Sequence, residues 1–149
     1  TTDICEDTNG NIWVLCQGKT TYDYPEETDS KIICIDSAGY EILHEFKIGT
    51  MNDEFYPVRL ASDIDRGVIY YIEKEGLYKF KIDTPEDHSL FLEGMYYGFD
   101  VDQESGDLYL FSDNGFQGKG SLHIFDMNGN KIAGPLETGI GPNGAVFRN

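Results

Sequence analysis

Asp102-Gln103-Glu104-Ser105-Gly106-Asp107-Leu108-Tyr109-Leu110-Phe111-Ser112 is the stretch that decides the fold. An aspartate, three polar residues and a glycine make a tight turn: Asp closes such turns through its side chain, and Gly supplies a positive φ. The apolar run that follows is a short strand. The same unit stands at Asp7…Gly10-Asn11-Ile12-Trp13 and at Asp63…Gly67-Val68-Ile69-Tyr70. A second half, a strand closing on an apolar residue and Asp, stands at Ile35-Asp36, Ile82-Asp83 and Phe125-Asp126. Three repeats of roughly 40–50 residues, each with several short strands, are the mark of β-propeller blades.

Each repeat divides into four strands, A to D from the centre outward. They are 2–7, 11–16, 31–36 and 41–48 in the first, then 58–63, 68–73, 77–83 and 89–92 in the second. In the third they are 97–102, 107–112, 121–126 and 131–138. The blades are thus 1–50, 51–94 and 95–139, and residues 140–149 look like one more inner strand with nothing after it. The expected fold is all-β: a partial β-propeller of three four-stranded antiparallel blades plus one extra inner strand, the C-terminal part of a larger ring. Ile12-Trp13-Val14-Leu15-Cys16, Ile32-Ile33-Cys34-Ile35 and Val68-Ile69-Tyr70-Tyr71-Ile72 are apolar on both faces. A strand facing water on one side would alternate, whereas blades stacked face to face bury both. Trp13, Tyr70 and Tyr109 share one repeat position, which makes them packing residues between blades.

Composition narrows the partners. Lys plus Arg number 11 against 27 Asp plus Glu, a formal charge of −16. Such a surface repels phosphate backbones, so nucleic acid and anionic membranes are excluded as expected partners. No run of about 18 apolar residues exists to span a bilayer. The start, Thr1-Thr2-Asp3-Ile4-Cys5, has no basic n-region or apolar h-region, so any signal peptide is expected to lie outside this sequence. Cys5, Cys16 and Cys34 each fall within an apolar strand and are expected as buried free thiols. With no Cys-x-x-Cys and scattered histidines, a zinc site is not expected.

Antiparallel strands send alternate connections to opposite ends of a blade. The A–B and C–D turns, such as 7–10, 102–106 and 126–129, are tight and polar. The B–C loops and D–A junctions carry aromatics instead: Tyr22 and Tyr24, Phe55-Tyr56, Tyr96-Tyr97, Phe116-Gln117, and Gly141-Pro142-Asn143-Gly144. Rigid amphipathic rings give large contact area at low entropic cost. The expected ligand-binding residues are therefore Tyr22, Tyr24, Phe55, Tyr56, Tyr96, Phe116, Gln117 and Asn143, with Tyr56 and Tyr97 also suited to starting their strands in the core.

Several chemical motifs fail on spacing. Asp100-Val101-Asp102-Gln103-Glu104 and Asp7-Thr8-Asn9-Gly10-Asn11 resemble calcium loops but lack the twelfth-position Glu. Gly118-Lys119-Gly120-Ser121 lacks the spacing of a phosphate loop, and no nucleophile elbow occurs. Asp53, Glu54 and Glu93, at blade entrances, leave a metal-assisted hydrolase or lactonase open as an alternative.

Tyr96-Tyr97-Gly98-Phe99, Gly106-Asp107-Leu108-Tyr109, Gly120-Ser121-Leu122-His123-Ile124-Phe125 and Thr138-Gly139-Ile140-Gly141-Pro142 carry a resemblance. They are similar to the YncE-like surface propellers of gut Gram-negative anaerobes, often labelled surface layer proteins. The resemblance covers most of the chain, with the specific motifs in its final third. It implies a seven- or eight-bladed, lipid-anchored protein exposed at the outer-membrane surface, some members of which capture corrinoids for a transporter. The expected function is non-enzymatic capture of a corrinoid or similar bulky nutrient, with no cofactor. Expected partners are that ligand or an outer-membrane transport component, and the remaining blades, supplied by the same parent chain or a second one. A protein- or glycan-binding scaffold is the other alternative.

Overall fold

A computed structural model describes residues 2–18, 28–49, 59–73 and 75–148. Twelve strands run among them. The first sheet holds β1 (Asp3–Glu6), β2 (Ile12–Cys16), β3 (Lys31–Ile35) and β4 (Ile42–Lys47). The second holds β5 (Leu60–Asp63), β6 (Val68–Glu73), β7 (Gly76–Lys81) and β8 (Thr84–Glu93). The third holds β9 (Gly98–Val101), β10 (Leu108–Ser112), β11 (Ser121–Phe125) and β12 (Lys131–Glu137). Each sheet is antiparallel, with its strands in chain order. The three sheets are the three blades expected from the repeat.

The cores lie between sheets. Trp13, Leu15, Ile32 and Cys34 of the first blade pack against Leu60, Ile69, Tyr71 and Phe80 of the second. Tyr70, Ile72 and Leu77, on the second blade's other face, pack against Phe99, Val101, Leu108 and Leu110 of the third. The middle blade is therefore buried on both faces, which is why β6 is apolar without alternation. Trp13 and Tyr70 are 1% and 2% exposed, as their shared repeat position predicts. Burying a side chain of that size stabilises by about 2–3 kcal/mol. Trp13 lies 5.1 Å from Phe80 across the first seam.

The turns hold the repeat together chemically. Asp7, 4% exposed, accepts from the backbone N–H groups of Asn9 and Asn11, from Asn11 Nδ2 and from Trp13 Nε1, the last at 2.8 Å. Asp126 accepts in the same way from Asn128 and Asn130, and Asp36 from Ala38 and Gly39. Arg66 reaches across the second seam, from the Asp63 carboxylate to the carbonyls of Glu104 and Ser105. Gln103 answers it, accepting from Ile64 N–H and donating to the Ser62 carbonyl.

Two expectations need correction. The second blade's outer strand does not begin near 89; β8 starts at Thr84, after a two-residue turn at Ile82 and Asp83. Pro85 looks like a breaker, but an outermost strand needs no N–H on its free edge, so the residue is tolerated there. Residues 140–148 form no ladder. They nevertheless run beside β9: Ala145 N–H donates to Asp100 Oδ2 (2.6 Å), much as Leu60 N–H donates to Asp3 Oδ2 between the first two blades (2.9 Å). Phe147 stands edge-on to Tyr109 at 5.0 Å. The segment follows an inner-strand path but has no second strand to pair with among the described residues.

Candidate ligand-binding face

Tyr22, Tyr24, Phe55 and Tyr56, together with Asp53 and Glu54, lie outside the described residues. The third blade supplies the rest of the aromatic face. Its B–C loop is built on Asp113, whose carboxylate accepts from Gly115 N–H (3.1 Å) and whose carbonyl accepts from Phe116 N–H (3.1 Å). Asn114, Gly115 and Phe116 then have φ of 52°, 66° and 58°. Left-handed backbone costs a residue with a β-carbon about 1–2 kcal/mol. Asn114 Nδ2 offsets part of this by donating to the Lys119 carbonyl (2.6 Å), which ties the loop ends together. The result is a Phe116 ring that is 55% exposed and stands edge-on to Tyr97 at 5.0 Å. Gly141 lies directly against it; a β-carbon there would come within 3.1 Å of the ring.

The other expected residues divide. Gln117 is exposed beside Phe116. Asn143 is exposed too, with its backbone packed on Gly98. Tyr96 is only 9% exposed. Its ring turns into the seam between the second and third blades and meets His123 edge-on, while its hydroxyl donates to the Glu93 carbonyl (3.1 Å). Tyr96 thus braces the face from below, and Tyr97 is the ring that meets Phe116. This reverses the expectation from sequence, which put Tyr96 in the ligand set and Tyr97 in the core, because an edge position shifts by one residue where a strand begins.

Next to this cluster a cleft of about 650 Å³ is lined by Glu75, Leu90, Glu93, Gly94 and Met95. Met95 is 87% exposed. Tyr78 donates to Glu75 Oε2 (3.0 Å); burial and the nearby carboxylates push the phenol up to about 12, so it remains a neutral donor. The cleft combines a thioether, an aliphatic side chain and carboxylates, and the Phe116 loop adds an exposed ring. That chemistry suits a bulky body with apolar faces and a polar periphery.

Arg59 was not legible in the sequence. It sits where the inner strands meet, donating through Nη2 to Asp100 Oδ1 (2.9 Å) and through Nε to the Phe99 carbonyl (3.3 Å), with Asp3 Oδ2 at 3.7 Å. One guanidinium thereby links the inner strands of all three blades. The only signal for it was a cation just ahead of an apolar inner strand. Among the described residues no three His, Cys, Asp or Glu side chains are grouped as metal ligands. Both calcium-like stretches engage carboxylates elsewhere, Asp7 and Asp102 in their turns and Asp100 with Arg59.

No protein-family model matches the chain, and no curated protein does. Among solved structures the chain is similar to a quinonprotein alcohol dehydrogenase-like protein of Bacteroides thetaiotaomicron, with a TM-score of 0.63 at 14% identity. The match covers 91% of this chain and 33% of that one. At that identity the likeness shows the propeller-like fold and nothing finer; the chain spans about a third of its neighbour's length.

Proposed function

We propose that the chain is a non-enzymatic binding module whose aromatic face captures a bulky, partly planar ligand such as a corrinoid. In this reading it belongs to a surface-exposed, lipid-anchored protein that hands the ligand to an outer-membrane transport component. The observation that carries the proposal is Phe116, an aromatic ring held half in solvent by consecutive left-handed residues. Local strain of this kind persists where it serves recognition, and a fold needs no such loop merely to connect β10 to β11. The resemblance of the third repeat to surface propellers supplies the ligand class.

The test is titration of the protein with cyanocobalamin, followed by calorimetry and visible absorbance. Saturable heat with a shifted absorbance band is expected, and Phe116→Ala is expected to weaken affinity by about tenfold, the loss of one aromatic anchor. Absence of both signals with cobalamins sinks the corrinoid reading.

A further inference from the structure

At the end of the second blade that carries the tight turns, away from the Phe116 loop, the outer pair of strands loses its register. Lys79 pairs with Ser89 and Lys81 with Thr84. Between those pairs β7 has only Phe80, whereas β8 has Pro85, Glu86, Asp87 and His88. Surplus residues of this kind re-aim side chains that a regular strand would alternate. Here they divide between two faces. Glu86 approaches His44 of the first blade at 3.7 Å, and His88 Nδ1 lies 2.6 Å from the Tyr71 hydroxyl. Asp87 and Ser89 turn the other way and line a hollow of about 280 Å³ with Val68, Lys79, Lys81 and Thr84.

The hollow gathers positive charge on a chain of net charge −16. Lys31, Lys47, Arg59, Arg66 and Lys119 each hold a carboxylate. Among the described residues Lys79 and Lys81 hold none, and the side chains of Thr84, Asp87 and Ser89 make no hydrogen bond. Lys79 Nζ stands instead 3.5 Å from the centre of the Phe91 ring, which positions the ammonium without neutralising it. Gly129 of the third blade packs on that ring from its own side, where a β-carbon would come within 3.3 Å.

Two ammonium groups against one carboxylate leave the wall with a single net positive charge. A dianion such as sulfate or phosphate would meet Asp87 as a repulsion. Asp65 and Asp83, which share the neighbouring hollow with Lys81, disfavour a second negative charge further. The volume stands at the small end of ligand pockets, large enough for one ring. The free acceptor of Asp87 and the two hydroxyls suit hydroxyl groups on that ring, and Val68 offers an apolar wall.

We propose that this hollow binds a singly charged, polyhydroxylated acid of the hexuronate type. Lys79 and Lys81 hold its carboxylate as point charges. Asp87 accepts from its hydroxyls, with Thr84 and Ser89 beside it. The site is separate from the aromatic face and does not depend on what that face binds.

Lysine acylation provides the probe. Burial, then the charge of Lys81, holds the Lys79 ammonium below its ordinary range, which makes its amine the readier to acylate. The whole protein is treated with an acetyl ester with and without methyl β-D-glucuronoside, and the products are read by peptide mass spectrometry. The glycoside at twice its dissociation constant is expected to slow acylation of Lys79 and Lys81 about threefold and to leave the exposed Lys47 unaffected. Methyl β-D-glucoside, the same ring without the charge, is expected to protect neither lysine, and so is sulfate at matched ionic strength. Lys81→Gln is expected to weaken glucuronoside binding about fivefold by ligand-observed NMR, at unchanged melting temperature. Asp87→Asn is expected to weaken the glucuronoside without weakening cyclohexanecarboxylate, which has the charge but no hydroxyls. Equal protection by the glucoside or by sulfate overturns the proposal. So does a lack of protection up to about 20 mM glucuronoside.

Discussion

Asp7 gives two carboxylate oxygens to four donors, one of them the indole N–H of the buried Trp13. Removing it leaves that buried N–H without a partner and the half-buried Asn11 amide without its carboxylate. Asp7→Ala is expected to cost about 2–4 kcal/mol, read as a lower urea midpoint at unchanged slope. His123 makes the pH-sensitive counterpart. Burial, then the charge of Lys131, holds its imidazole below the ordinary range, so the folded state favours the neutral ring. The unfolded chain takes up the proton first as pH falls below about 6.5. Stability is therefore expected to decline from pH 7 toward pH 5, and His123→Gln is expected to flatten that part of a denaturation-midpoint profile. The aspartate was legible in the sequence because turn chemistry is local. The histidine's environment was not, since Tyr96 and Lys131 reach it only through pairing and stacking.

At the level of elements, the strands were legible almost to the residue, because each is bracketed by Asp and Gly turn signals. β8 and the expected closing strand over 140–149 were the exceptions. Thr84-Pro85-Glu86-Asp87-His88 is polar and holds a proline, which describes a loop by composition and an outer edge by position. The 113–119 loop was legible as a loop but not in its handedness, which depends on Asp113 and on the Asn114–Lys119 bond. Phe116→Gly is expected to leave stability within about 1 kcal/mol, since relief of left-handed strain offsets the lost ring contact with Tyr97. Thermal melts of the variant check this. Gly98→Ala is expected to act the other way: a β-carbon there meets the Asn143 backbone, and the displaced 142–145 segment costs about 1–3 kcal/mol. Amide exchange at Ala145 is expected to speed up with it.

For the whole molecule, the repeat period and the doubly apolar strands fixed the stacking of blades, while the bridge at its centre depended on residues far apart in the chain. Arg59 is about a third exposed, so its ion pairs are screened by solvent. Arg59→Met is expected to lower stability by about 1 kcal/mol, with the difference shrinking as salt is raised. Each seam joins two unlike surfaces, Trp13 and Leu15 against Ile69 and Tyr71 in the first and Tyr70 and Ile72 against Leu108 and Leu110 in the second, and this has a consequence for assembly. A contact between two unlike surfaces cannot complete itself as a two-fold pair can; each blade consumes one surface and offers another. A stack built this way either turns through a full circle or grows as an open filament, and the rotation at each seam decides which. The side chains that set that angle, Trp13 against Phe80 and Tyr70 against the Phe99, Leu108 and Leu110 cluster of the third blade, thus govern the size of the ring as well as the firmness of its joints.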